Sequence, residues 1–215
     1  MVSKYGGNIL DSTKNTENRK EGCMIIVFNN YKATSGFIIA FVILYIIDIQ
    51  IDLSQYLSAK GIDIIGHEYY RFVTGPFLHF NLIHMLANVA ALFWVGYFLE
   101  VSLGSVNFVL FGVLSSTIAE IINSFIYRSS QKNIGASVYV FAFLGLIVVT
   151  QILKSDFPKF HLRTWYGNWL LFYAIIGNIP VFSFMGDGTL VLHFISFVTG
   201  VVIGLCGMYF GIITC

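Results

Sequence analysis

A serine and a histidine in two separate apolar segments have the side-chain types of a nucleophile and its base. Ser137 stands in the segment NIGASVYVFAFLG, directly after Gly135 and Ala136, at the start of a long apolar run. His193 lies near the start of a later apolar run. A serine hydroxyl becomes a competent nucleophile when a neighbouring imidazole accepts its proton. The pair therefore indicates acyl-transfer chemistry, although serine among small residues is also typical of close helix packing in membranes.

Hydrogen-bond donors for a developing oxyanion are available in a third segment. His84 and Asn88 are four residues apart in HFNLIHMLAN, so a helix would place both on one face. Backbone N–H groups at a helix start also favour negative charge, and Ser137 stands at such a start. No carboxylate is paired with His193 by spacing, so a Ser–His dyad is expected rather than a triad. His84 and Asn88 could instead act as hydrogen-bonding groups between helices.

Membrane helices must position these residues, because the composition excludes a soluble domain. Of the 215 residues, 57% are hydrophobic and only 11% are charged. No alternating strand pattern recurs along the chain, so helices are expected. The prediction is an all-α membrane protein with a six-transmembrane-helix bundle over residues 34–215. A span needs about 20 apolar residues, and six runs reach or approach that length: Thr34–Ile51, Leu82–Leu99, Val106–Ile126, Ile134–Leu153, Trp165–Phe184 and Thr189–Thr214.

Small residues on two of these spans predict a close helix contact. Ser196, Gly200 and Gly204 recur at helical spacing after His193 in the sixth span. This pattern lets membrane helices approach one another closely. The fourth span likewise has small residues, Gly135, Ala136 and Gly145, that would let another helix approach. We therefore expect the two helices to touch and to bring His193 towards Ser137.

Residues 1–33 are predicted to form a polar N-terminal tail. The tail contains a short apolar segment, Met24–Phe28, that is expected to rest at the membrane interface. No signal peptide is evident, so the first span is expected to act as the insertion signal. Lys and Arg are in excess in the tail and the fourth loop, which favours a cytoplasmic N-terminus and C-terminus. A short polar loop around Gly186–Gly188 is expected to connect flexibly to the sixth helix.

Partners and cofactors are constrained by the same composition. The net charge of +1 argues against a nucleic-acid partner. The three cysteines have neither pairing nor metal-ligand spacing, so we expect free thiols. Nothing in the sequence demands a metal or an organic cofactor, and the oligomeric state stays open.

Three segments, in order along the chain, resemble the motifs of the rhomboid intramembrane serine proteases. Glu68–Glu100 resembles an aromatic–Arg motif followed by His-x4-His-x3-Asn and a closing Gly and Glu. Gly135–Gly145 is similar to the family's Gly-x-Ser segment with its later Gly. His193–Gly200 is similar to its histidine followed by small residues at helical spacing. Each motif is weak alone, but the three together, in this order and on the expected spans, are specific.

The resemblance implies a six-helix bundle with a water-filled cavity open to the outer side. The implied reaction is peptide-bond hydrolysis in or near a substrate's transmembrane helix, within the lipid bilayer. By analogy, the location is a plasma membrane. Position by position, the resemblance implies a role for each matching residue: Ser137 as nucleophile, His193 as base, His84, Asn88 and the Ser137 N–H around the oxyanion, Gly135 as a supporting residue, and Tyr70 and Arg71 in a structured first loop.

Two positions depart from the family pattern. Val138 follows the nucleophile where the family usually has Gly, and its branched side chain would crowd the oxyanion pocket or narrow substrate access. Phe141 stands where Tyr is frequent; it keeps the ring that packs on the histidine and loses only the hydroxyl. Because the Ser–His pair is intact, an active enzyme is favoured.

Two other functions remain as alternatives. The first is a rhomboid-like pseudoprotease that binds transmembrane helices without cutting them. The second is an unrelated transporter or channel, with His84, Asn88, Glu120 and His193 lining a path. That alternative predicts inverted repeats or broken helices, and no convincing internal repeat is present in the sequence.

Overall fold

The computed structural model describes residues 31–154, 157, 159–178 and 188–213. In these residues the regular structure is helical, with one isolated antiparallel bridge between Ala59 and Asn133. Most of the predicted polar tail, with Met24–Phe28, lies outside the described residues. So do the end of the fifth apolar run and Gly186 and Asp187 of the loop expected before the last helix.

In the described residues, six longer helices overlap the six apolar runs of the sequence, although the fifth helix ends at Ile176 and the sixth at Tyr209, before the predicted ends at Phe184 and Thr214. Two short helices and one 3-10 turn, Gly75–Phe77, lie in the long loop between the first and second of them. In chain order the helices are α1 (Lys32–Ile51), α2 (Ser54–Leu57), α3 (Arg71–Thr74), α4 (Leu82–Leu103), α5 (Ser105–Ile126), α6 (Ser137–Leu153), α7 (Trp165–Ile176) and α8 (Gly188–Tyr209).

Among the described helices, four are long and apolar enough to cross a membrane: α1, α4, α5 and α8. They contain 20 to 22 residues each, and much of the outward-facing surface is aliphatic or aromatic. Such a surface suits lipid rather than water. The protein is therefore an all-helical, integral multi-pass membrane protein. The other two of the six longer helices are shorter than these four, with 17 residues in α6 and 12 in α7.

Helix α6 is the centre of the bundle. It is apolar all round and buried along most of its length, as expected for a helix enclosed by others. Its 17 residues rise about 26 Å, against about 33 Å for the 22 residues of α4, α5 or α8. A short central helix therefore begins inside the bundle, and its first residue is Ser137.

The contact between α6 and α8 is the most extensive between two helices in the described residues. Two glycines make it possible. A Cβ at Gly200 would overlap the carbonyl oxygen of Ala142, and one at Gly145 would overlap the carbonyl of Phe197. Backbone thus meets backbone where side chains are absent. Gly135 behaves differently from the sequence expectation, because it lies against His84 and not against α8.

A buried carboxylate ties the start of α1 to the turn between α4 and α5. Glu100 is 1% exposed. It accepts hydrogen bonds from the backbone N–H groups of Ala33 and Thr34 at 2.7 and 2.8 Å, and from the hydroxyls of Thr34 and Ser105 at 2.6 Å each. Since all four donors surround one carboxylate, its buried oxygens are hydrogen-bonded, and α4 continues past it to Leu103.

Candidate active site

Ser137 is the first residue of α6 and is 8% exposed. The helix starts only here, so the backbone N–H groups of Ser137 and Val138 have no carbonyl one turn earlier within the helix. These groups and the helix dipole make the position favourable for negative charge. The hydroxyl of Ser137 and the free backbone N–H groups of the helix start are thus close to each other.

The segment leading to Ser137 is held from two sides. Asn133 exchanges two backbone hydrogen bonds with Ala59 of the first loop, at 3.0 and 2.8 Å. Its side-chain amide donates to the buried carboxylate of Glu120 at 2.6 Å. Gly135 then adopts a φ of +132°, a conformation that only glycine adopts readily. These contacts fix the chain direction immediately before the helix.

His84 and Ser137 lie on either side of Gly135. A Cβ at Gly135 would be 2.7 Å from His84 Cε1, 3.1 Å from His84 Nε2 and 3.7 Å from Ser137 Oγ. The absence of that carbon leaves a space between the imidazole and the hydroxyl. His84 itself is set by the start of α4, where its backbone N–H donates to Asn81 Oδ1 at 2.8 Å. The structure therefore brings His84 and Ser137 together.

Asn88 lies one turn further along α4 and is 1% exposed. The hydroxyl of Tyr173, on α7, donates a hydrogen bond to Asn88 Oδ1. With its oxygen occupied, the amide presents its Nδ2 donors in the other direction, and Nδ2 is buried without a hydrogen-bond partner in the described residues. An amide donor held in this direction is available to a group that enters the site.

His193 is 4% exposed and stacks flat on Phe141, with ring centroids 4.1 Å apart and an interplanar angle of 15°. Phe141 follows Ser137 by one helical turn, so both lie on the same face of α6. His193 Nδ1 is 2.9 Å from Asn178 Oδ1, and Nε2 is buried without a partner in the part of the chain described. Ser137 and His193 make no hydrogen bond to each other among the described contacts; such bonds often tighten only with substrate.

Val138 is 1% exposed and belongs to the main hydrophobic cluster of the bundle. Phe141 belongs to the same cluster and also contacts the Tyr173 ring, at 5.8 Å between centroids. The two positions that depart from the family pattern are thus both packed, one beside the serine and one beneath the histidine.

Tyr70 and Arg71 make their hydrogen bonds within the first loop rather than at Ser137. Arg71 is 3% exposed, donates to Glu68 at 2.7 Å and reaches the Ser58 carbonyl at 3.3 Å. Its hydrogen bond to Glu68 lowers the pKa of that carboxyl, despite some desolvation. The Tyr70 hydroxyl donates to the Tyr56 carbonyl at 3.0 Å. These bonds give the loop a defined structure.

Two residues of this arrangement were not singled out from the sequence. Tyr173 and Asn178 both belong to α7 or the turn that follows it, and they contact Asn88 and His193. A tyrosine and an asparagine near the end of an apolar helix are common, and neither has a motif. Only the tertiary contacts reveal what they touch.

Comparison with known proteins agrees with the motifs. The model of the family described as Rhomboid domain matches residues 66–212, a range that contains every predicted site residue. Rhomboid-type serine protease 2 of Podospora anserina is 28% identical over 148 residues, covering 65% of this chain and 48% of the relative. Rhomboid-type serine protease 2 of Neurospora crassa is 26% identical over 125 residues, covering 54% and 45%. The chain spans about half the length of these curated relatives.

Proposed function

The chain belongs to the rhomboid family, and on that premise we propose that it is an intramembrane serine endopeptidase using a Ser137–His193 dyad. Its substrates are membrane proteins, cut in or near their transmembrane segments. The observation that carries the proposal is the environment of His193. Its ring is stacked on the residue one turn after Ser137, and its Nε2 is buried and unpartnered in the described residues. Such a nitrogen is suited to accept a proton.

The reaction follows from these groups. Ser137 Oγ attacks the scissile carbonyl carbon while His193 Nε2 takes the hydroxyl proton. The negative charge on the carbonyl oxygen is stabilised by the Ser137 N–H, Asn88 Nδ2 and His84. Collapse breaks the C–N bond, and the leaving amine receives the proton from His193. Water then attacks the acyl-enzyme with His193 again as the base, which releases the second product and restores the serine.

The membrane arrangement proposed for this activity has six spans, with α6 and α7 as the fourth and fifth. The N-terminus and C-terminus are cytoplasmic and the catalytic groups open to the outer side, in a plasma membrane. The excess of Lys and Arg in the N-terminal tail and the fourth loop supports this orientation. In this proposal residues 1–33 form a polar tail, and residues 34–215 form the membrane domain.

The position of Val138 favours one second function, a pseudoprotease that binds transmembrane helices without cutting them. The residue is 1% exposed and directly follows the nucleophile. In this second function, the branched side chain takes space that an oxyanion or substrate needs. The two functions differ in one property that can be measured, the reactivity of Ser137.

The test requires no known substrate. The full chain, purified in mild detergent and shown to be helical and monodisperse, is treated with a fluorophosphonate serine-hydrolase probe. The modified residue is then read by mass spectrometry. We expect labelling at Ser137 that is lost in Ser137→Ala and in His193→Ala. Absence of labelling in folded wild-type protein, with labelling restored by Val138→Gly, would instead support the pseudoprotease. Absence in both would remove the Ser–His pair from the function.

A further inference from the structure

We propose that Asn178 is a positioning residue that holds the His193 imidazole in the tautomer with the proton on Nδ1. The inference rests on the proposed function, in which His193 is the base for Ser137. It adds a third member to the dyad, from the turn that follows α7. The three residues would then act as a Ser–His–Asn arrangement.

The orientation of the Asn178 amide is fixed by its own second hydrogen bond. Asn178 Nδ2 donates to the carbonyl of Ala174 at 2.7 Å, at the end of α7. The amide oxygen is therefore the atom that faces His193, and it lies 2.9 Å from Nδ1. An amide oxygen only accepts hydrogen bonds. The proton of this bond must consequently be on Nδ1, which assigns the tautomer from the hydrogen-bond network.

This tautomer is the one that proton transfer requires. With the proton on Nδ1, a neutral imidazole carries its lone pair on Nε2, and Nε2 is the buried nitrogen that has no partner in the described residues. The opposite tautomer would place a buried N–H where the serine proton has to go. The Asn178 contact thus selects the base-competent form before substrate arrives.

The two neighbours of the ring restrain different motions. Stacking on Phe141, with an angle of 15° between the rings, restrains the tilt of the imidazole. Stacking leaves rotation within the ring plane and a half-turn flip of the ring, which exchanges Nδ1 with Cδ2, unopposed. The bond to Asn178 Oδ1 opposes both, because it is satisfied only with Nδ1 on the side of α7. The two contacts are therefore complementary.

The first experiment measures the tautomer directly in the full chain labelled with nitrogen-15 histidine. Protonated and unprotonated ring nitrogens have distinct nitrogen-15 shifts, and His193→Ala identifies the signals. We expect His193 with a protonated Nδ1 in wild type, and loss of that preference in Asn178→Ala. A protonated Nε2 in wild-type protein would overturn the inference, whatever the activity of the enzyme.

The second experiment measures the rate of fluorophosphonate labelling of Ser137 against pH. We expect Asn178→Ala to lower the rate about 10- to 100-fold, as loss of a partner that orients a histidine does elsewhere. Asn178→Asp keeps an acceptor, so it should recover most of the rate. Its carboxylate stabilises the protonated imidazole, so the rise in labelling should move to higher pH. Among the described residues, the titratable side chain that acts electrostatically on His193 is His84, and all variants retain it.

Asn168→Ala is the matched control. Asn168 lies in α7 and its side chain accepts a hydrogen bond from the backbone N–H of Arg163 at 3.1 Å. The substitution removes an amide from the other end of the same helix, and both the labelling rate and its pH profile should be unchanged. A purely structural role of Asn178 would lower the amount of folded protein without moving the pH profile.

The outcomes separate the two proposals. If wild-type Ser137 is labelled and Asn178→Ala leaves its rate and pH profile intact, the role of Asn178 is wrong while the dyad stands. If wild-type Ser137 is not labelled, the proposed function fails and the nitrogen-15 spectra decide on Asn178 alone. If Asn178→Ala does not fold, the wild-type tautomer and the Asn178→Asp profile still decide.

Discussion

The two sides of His193 are built by different means. On the side of α6, backbone packs against backbone across Gly145 and Gly200, with no room for an added carbon. On the side of α7, which is shorter, single hydrogen bonds hold the polar side chains of the site: Tyr173 donates to Asn88, and Asn178 accepts from His193. The first side determines where the helix carrying His193 stands. The second determines which way individual side chains point.

A buried polar site in a membrane needs both kinds of contact. Close packing fixes helix positions for two reasons. Overlap of backbone atoms is costly, and a gap between the helices would lose van der Waals contacts. Close packing cannot determine which way an amide group points or which tautomer an imidazole adopts. Hydrogen bonds make that choice. We therefore expect changes on the first side to affect stability and activity together, and changes on the second to affect mainly activity.

The largest effect is expected from Gly200→Ala, which tests the packed side. The added carbon overlaps the backbone carbonyl of Ala142, so α6 and α8 must move apart. We expect a loss of about 3 kcal/mol in stability, the upper range of overpacking costs, and loss of Ser137 labelling. Thermal unfolding in detergent and probe labelling measure the two effects.

Gly204→Ala is the matched control on the same helix face. Its added carbon would lie 2.7 Å from Leu146 Cδ1, the end of a flexible side chain that can move aside. We expect a cost of about 1 kcal/mol or less and retained labelling. Equal effects of the two substitutions would mean that backbone contact at Gly200 does not position His193.

The second effect is expected from Tyr173→Phe, which tests the hydrogen-bonded side. The substitution removes the hydroxyl that donates to Asn88 Oδ1, so the amide is free to turn its Nδ2 away from the oxyanion. Loss of a whole oxyanion donor costs a factor of about 100 to 1000. We expect misorientation to cost less, about tenfold in the rate of Ser137 labelling.

The control for this prediction is Tyr166→Phe. Tyr166 is on the same helix and packs its ring on Phe98, at 4.8 Å between centroids, while its hydroxyl makes none of the hydrogen bonds found in the described residues. Labelling should be unchanged. If Tyr173→Phe lowered thermal stability by as much as Gly200→Ala, the hydrogen bonds on the α7 side would stabilise the fold as strongly as the packing on the α6 side. That result would contradict the proposed difference between the two sides.

The sequence predicts the candidate residues of α4, α6 and α8 better than the residues of α7 and the turn after it that contact them. Ser137, His193, His84 and Asn88 are recognised by residue type and helical spacing, which are local properties. Tyr173 acts on a residue 85 positions away. No pattern within α7 specifies that distance, because it depends on how the helices pack. Asn178 also donates a hydrogen bond to the carbonyl of Ala174 at the end of α7. An asparagine at this position would therefore be expected as a helix cap, and the sequence gives no further indication that it contacts His193.

Helix bounds differ from the sequence prediction where tertiary contacts override hydropathy. The second span was predicted to end before Glu100, yet α4 continues to Leu103 because the carboxylate is buried among four donors. The fourth was predicted to begin at Ile134, yet α6 begins at Ser137. The preceding residues are kept out of the helix by the Ala59–Asn133 bridge and by the positive φ of Gly135.

A smaller effect is expected from Val138→Gly, which removes packing from α6 but leaves both the glycine contacts with α8 and the hydrogen bonds from α7 in place. Val138 is 1% exposed and packed in the main cluster, so glycine should cost stability. If the side chain narrows access to Ser137, labelling of the folded protein is preserved or raised. A large loss of labelling in protein that remains folded would mean that the site has adapted to valine.

The smallest effect is expected from Phe141→Tyr, because Phe141 belongs to both sides of the comparison. Its ring supports His193 on α8 and contacts Tyr173 on α7. The added hydroxyl leaves the stacked face intact, so the labelling rate should be close to that of wild type. Phe141→Leu keeps an apolar side chain but removes the flat face, and it should lower the rate while the Nδ1–Asn178 contact remains. If Phe141→Leu were as active as Phe141→Tyr, the hydrogen bond to Asn178 alone would suffice to orient the imidazole, and stacking would serve only to fill space.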